Sequence, residues 1–144
     1  MVRVANDSAT VAGRLRPVIL RLARELRREI HSLGVTGGQV SLLAAIREAP
    51  GITASELADR ERVSAPGMSG QLVRLEAAAL IERVRAGDRR RIGLYLTEEG
   101  EKVLRSVRNR RTAWLVARLE RLEPAERERI DAAIEVLEKL LGPE

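Results

Sequence analysis

Apolar residues in this 144-residue chain recur in threes and fours almost from end to end, with one interruption. Between Leu80 and Thr97 the period drops to two. Ile92, Leu94 and Leu96 point to one side of the second half of that stretch, and Gly93 and Tyr95 to the other. Spacing near 3.6 buries one stripe of a helix, whereas a period of two buries one face of a strand. The single change of period therefore predicts a mostly α protein with one small β-hairpin set between helices. Leu80 to Arg85 and Ile92 to Thr97 form its strands, and the turn falls at Gly87-Asp88. Composition agrees, since one Trp, one Tyr and no Phe leave a core of Leu, Val, Ile and Ala.

The flanking helices can be placed by their stripes and their caps. Val11, Leu15, Val18, Ile19, Leu22, Leu26, Ile30 and Leu33 trace a first amphipathic helix that Gly34 ends. Pro17 lies inside it, so the helix either starts near Pro17 or begins around Ser8 and kinks. Thr36 and Gln39 fit a capping box opening a second helix, with Val40, Leu43, Ala44 and Ile46 as its buried face. Ala49-Pro50-Gly51 stops it, and Ile52 is placed to add a residue or two of strand. Thr53 and Glu56 fit a second capping box for a helix through about Glu61. Ser64 caps a fourth helix, from Ala65 to Ala78, that turns Met68, Leu72 and Leu75 inward. A long helix starts at Thr97. Pro124 breaks it and opens a last one carrying Ile130, Ile134, Leu137 and Leu141.

The third and fourth helices, joined by Arg62-Val63-Ser64, make a helix-turn-helix. Ser64, Ala65, Gly67, Ser69 and Gly70 leave the outer face of the fourth helix thin. Gly67 and Gly70 each cost about 1 kcal/mol of helix propensity relative to Ala. Close approach of the backbone to a partner offsets that cost. A DNA major groove is one such partner, and a neighbouring helix is the other. Gln71 and Arg74 follow, with side chains suited to adenine and to guanine or phosphate.

A hairpin directly after a helix-turn-helix is the wing of a winged helix. Its tip carries Asp88, Arg89, Arg90 and Arg91. Adjacent arginines repel one another in isolation, but beside phosphates or in a narrow minor groove that repulsion becomes attraction. Asp88 suits a brace, accepting from nearby backbone N–H groups or from Arg90. The net charge of +5 also favours an anionic partner.

The order of elements, the stretch LEAAALIERV from Leu75 to Val84, and the run from Asp88-Arg89-Arg90 to Leu96-Thr97-Glu98-Glu99-Gly100 resemble the MarR family of bacterial transcription regulators. The resemblance covers nearly the whole chain. It implies Asp88 as the brace and Arg90 as the residue entering the minor groove. It also implies a dimer joined by its first and last helices, a palindromic operator and, usually, repression. Release by a small aromatic or phenolic anion, bound between the dimer helices and the DNA-binding lobe, is implied as well. Two departures from the family pattern stand out. Ala79 stands where Gly is usual at a left-handed helix end, and Ala65 and Gly70 replace longer polar residues, which shifts readout toward the wing and DNA shape.

Dimerisation follows from the residues too. Val11–Leu33 and Val103–Leu141 leave two apolar stripes that need a partner surface. Leu15, Ile19, Leu22, Trp114, Leu119, Ile130, Ile134, Leu137 and Leu141 are the expected contacts, and two-fold symmetry would set the recognition helices about 34 Å apart. The expected organisation is residues 1–33 and 98–144 for dimerisation around a lobe of residues 34–97. His31, the sole histidine, is a candidate effector contact or pH switch.

The absence of Cys removes disulfides, thiolate metal sites and thiol catalysis. No metal-ligand cluster or phosphate-binding Gly loop is visible, so neither a cofactor nor an enzyme is expected. No run of about 18 apolar residues occurs, and the first residues lack a signal-peptide core, so a cytoplasmic protein without membrane attachment is expected. The expected function is that of a homodimeric DNA-binding repressor released by a small anionic ligand. The rival is a winged helix that docks proteins and leaves DNA alone.

Overall fold

The computed structural model describes residues 7–87 and 90–143. The expected class holds: six α-helices and one two-stranded antiparallel sheet among the described residues. The helices are α1 (Ser8–Glu29), α2 (Gly37–Glu48), α3 (Ala54–Glu61), α4 (Ala65–Ala77), α5 (Glu98–Leu119) and α6 (Pro124–Glu138). Strands β1 (Ile81–Arg85) and β2 (Ile92–Leu96) lie between α4 and α5. Short 3-10 turns follow α1 and α6, at His31–Leu33 and Lys139–Leu141.

α1 begins at Ser8, upstream of Pro17, so the earlier of its two possible starts is the one adopted. Asp7 caps it, accepting from the Thr10 backbone N–H at 2.9 Å and from the Thr10 hydroxyl at 2.7 Å. Those two bonds, the hydroxyl's foremost, hold the Asp7 carboxyl below its ordinary value. Thr36 and Gln39 complete their reciprocal capping box on α2. The box expected on α3 is only half formed. Thr53 Oγ1 accepts from the Glu56 N–H at 3.1 Å, but the Glu56 carboxylate is turned to Arg91, 3.0 Å away.

The core sits in the lobe between α2 and β2. Leu43, Ile46, Leu57, Leu72 and Leu75 have no exposed surface, and Met68 and Leu94 are buried beside them. On α2 the buried face is wider than its spacing suggested. Leu42 and Ala45 are buried along with Val40, Leu43 and Ile46, whereas Ala44 is half-buried. α2 is covered by α3 on one side and by α5 and β2 on others, so more than one stripe is enclosed.

β1 pairs with β2 in register from Ile81↔Leu96 to Arg85↔Ile92. Ile52 bridges Leu94 as an outer strand position, with Leu94 N–H donating to Ile52 O at 2.9 Å. Gly93, on the face expected to be open, is buried instead, because the Gly51 backbone comes within 3.0 Å of where a Cβ would sit.

α4 ends in a left-handed residue, as its family-like pattern requires, but the residue is Ala79, at φ 59°. The Leu80 N–H reaches back to Leu75 O at 3.0 Å, closing the helix end. Thr97 Oγ1 donates to Ala79 O at 2.6 Å and fixes that strained link to the start of α5. Three residues on, a Cβ at Gly100 would lie 2.2 Å from Leu80 O, so α5 docks against the lobe only with glycine there.

α5 divides the expected C-terminal stripe. Leu104 and Val107 join the lobe core, and Val103 packs partly against it, so this part of the stripe finds its cover within the chain. Further along, Trp114 is buried outside that core, Leu115 is exposed and Leu119 is half-buried.

Candidate nucleic-acid interface

α3 and α4 are joined by Arg62, which adopts φ 54° and closes α3, while the Val63 N–H returns to Ala58 O at 3.0 Å. Ser64 Oγ then accepts from Gly67 N–H at 3.2 Å and starts α4. The two thin positions of α4 have different causes. A Cβ at Gly67 would meet Ser64 Oγ at 3.0 Å and Val63 Cγ1 at 3.3 Å, so smallness there serves the cap. A Cβ at Gly70 would meet nothing within 4 Å. Gly70 keeps the outer face low without any need from its own fold.

Of the expected contact residues, Ser64, Ala65, Gly67, Ser69, Gly70 and Arg74 are exposed, and Gln71 is half-buried on the flank of α4. Val73 escaped the sequence reading. It is 57% exposed on the outer face of α4. The available signal was its position off the Met68–Leu72–Leu75 stripe, which marks an apolar residue on the wrong side of an otherwise amphipathic helix.

At the wing, Arg90 and Arg91 are both exposed. Asp88 and Arg89, the expected brace and its neighbour, lie outside the described residues. Arg91 Nη1 pairs with Glu56 Oε1 at 3.0 Å, which ties the base of the wing to the first turn of α3. Arg83, on β1, similarly holds Glu76 of α4 at 2.6 Å. These half-exposed pairs contribute little stability, about 0–1 kcal/mol each. Their effect is positional. They also neutralise the Glu56 and Glu76 carboxylates on the surface of the winged helix.

A family model described as MarR family matches residues 33–92, which takes in the helix-turn-helix and the wing. An HTH-type transcriptional regulator of Mycobacterium tuberculosis is 29% identical over 133 residues, 92% of this chain and 93% of that protein. A solved Pseudomonas aeruginosa protein assigned as a transcriptional regulator is 33% identical, with a TM-score of 0.83 over 96% of this chain and 99% of its own. The chain belongs to the MarR family. It is thus a transcriptional regulator with a DNA-binding winged helix. A MepR variant of Staphylococcus aureus, solved bound to an oligodeoxyribonucleotide, shares the fold at 23% identity, with a TM-score of 0.72 over 92% of this chain and 98% of that one.

In this MarR-family chain a crevice of about 430 Å³ opens between α1, the start of α2 and α5. Ala23, Leu26, Arg27, Gly37, Gly38 and Arg111 line it. Arg111 also lines a neighbouring crevice with Val40, Ala44 and Leu104, and its Nε is buried without a hydrogen-bond partner. His31 is exposed and does not line the crevice. The terminal helices are thinly covered. Ile19, Leu22, Ile130, Ile134, Leu137 and Leu141 are exposed, and Leu15 and Leu119 are half-buried. Trp114 differs from these, being only 9% exposed, with the Arg118 guanidinium 3.6 Å from its ring centroid. No helix among the described residues is long and apolar enough to cross a membrane.

Proposed function

We propose that this regulator works as a homodimer that represses from a palindromic operator and lets go when a small anion binds. Residues 34–97 act as the DNA-binding lobe, and α1, α5 and α6 join the two copies. The observation that carries this reading is a contrast in exposure. α1 and α6 bury no residue within the chain, although both carry apolar stripes. A second copy would cover those stripes and, by symmetry, repeat the lobe one helical turn along a duplex.

Within each lobe, Ser64, Ala65, Ser69, Gly70, Gln71 and Arg74 meet the major groove, and Arg90 enters the adjacent minor groove with Asp88 as its brace. Arg89 contributes charge at the tip. Arg91 is held by Glu56 and acts on the field more than on a single phosphate. The crevice suits an anionic ligand, because Arg27 and Arg111 both line its wall. An anion there would sit where α1 and α5 meet the lobe, and could change the spacing of the two lobes.

Fluorescence anisotropy with duplex DNA across a salt series tests the reading. The wild-type chain should bind with a steep salt slope, and Arg90→Ala should reduce that slope by about one. Unchanged affinity in Arg90→Ala would remove this residue from the interface. Failure to bind duplex at low salt would favour a protein-docking role for the winged helix.

A further inference from the structure

α4 sends Met68, Leu72 and Leu75 into the core. At about 100° per residue, the opposite direction belongs to Pro66, Gly70, Val73 and Ala77. All four are exposed. The face that points away from the body is therefore apolar along its centre, with Arg74 on one flank and Ser69 on the other. Gln71, the amide expected to read adenine, lies away from that centre and is half-buried.

Val73 is the one branched side chain of this face. β-Branching lowers helix propensity slightly, and at 57% exposure Val73 gains little from burial in the free lobe. One turn earlier, Gly70 leaves open space beside it. The only carboxylate on α4, Glu76, is engaged by Arg83 at 2.6 Å, so the face presents no competing negative charge to a phosphate backbone.

A DNA major groove offers just one apolar group on its base edges, the C5-methyl of thymine. An isopropyl group set against cytosine N4 or guanine O6 would leave a polar group desolvated and unpaired. Set against thymine, it would cover a methyl. We propose that Val73 reads a thymine C5-methyl in each half-site, with Gly70 giving the base edge room to approach. This rests on α4 being the helix that enters the major groove.

The test starts from duplexes selected by the full-length protein out of a randomised pool. The consensus is then resynthesised with deoxyuridine replacing each thymine of a half-site in turn, which removes the methyl and nothing else. Wild-type protein should lose about fourfold in affinity at one position per half-site, the size expected for uncovering one methyl group. Val73→Ala should bind the thymine and uracil duplexes equally, while keeping wild-type affinity and salt slope on random duplex. Retained random-duplex binding shows that the variant is folded, as expected for a side chain outside the core. A consensus with no constant thymine, a wild-type protein blind to every uracil, or a Val73→Ala that stays sensitive to the same uracil would overturn the assignment. A chain that selects a sequence but ignores the methyl sinks only the role of Val73. One that binds no duplex sinks the placement of α4 in a groove as well.

Discussion

The lobe and the terminal helices are built from the same residue types and differ in what covers them. Leu43 on α2 is 0% exposed, whereas Ile134 on α6 is 48% exposed. Each sits on an amphipathic stripe with similar spacing. Leu43 is enclosed because α3, α5 and β2 all pack against α2 within one chain. Ile134 has no such neighbours, so its burial depends on another surface. An amphipathic pattern thus specifies which side of a helix seeks cover and leaves open whether the cover is internal.

Leu43→Ala should give the largest effect, a loss of about 2–5 kcal/mol from cavity formation, equal at every protein concentration in urea unfolding. Ile134→Ala should instead lower stability only at concentrations where the chain is dimeric, and dilution should erase the difference. A concentration-independent loss at Ile134 would break the contrast. A smaller effect tests strain at the lobe's edge. Ala79→Gly removes the left-handed penalty and should stabilise by about 1 kcal/mol, read from the denaturation midpoint. The smallest effect lies at the start of α1. Because Asp7 titrates below its ordinary value of 3.8 in the folded chain, its cap contributes in full above that value. The contribution fades as pH falls through the lowered pKa. Asp7→Asn should flatten this acid dependence of helicity, followed by circular dichroism.

Much of the fold was legible because its signals are local. Thr36, Ser64 and Thr97 each cap the helix that their spacing announced. The hairpin follows from alternation on either side of Gly87-Asp88, but its register, with Arg85 opposite Ile92, does not. At the interface, the thin face of α4 could be read from Ser64, Ala65 and Gly70. The division of labour between Gly67 and Gly70 could not, because it depends on where the Val63 side chain lies. Glu56 looked like half of a capping box, yet its carboxylate serves Arg91, far along the chain. Val73 faces out, and helical periodicity marks only the apolar residues that face in.

By itself, the sequence determined the starts of α2 to α6, the one hairpin, the family pattern at the wing and the sign of the partner's charge. These depend on hydrogen bonds within a turn or on the composition of a short run. Only the tertiary structure decided that α5 shares its stripe with the lobe, that Gly51 covers Gly93, and that Arg91 is held by α3. Those outcomes are set by contacts between distant segments, whose energies come from packing and charge pairing that no local spacing encodes.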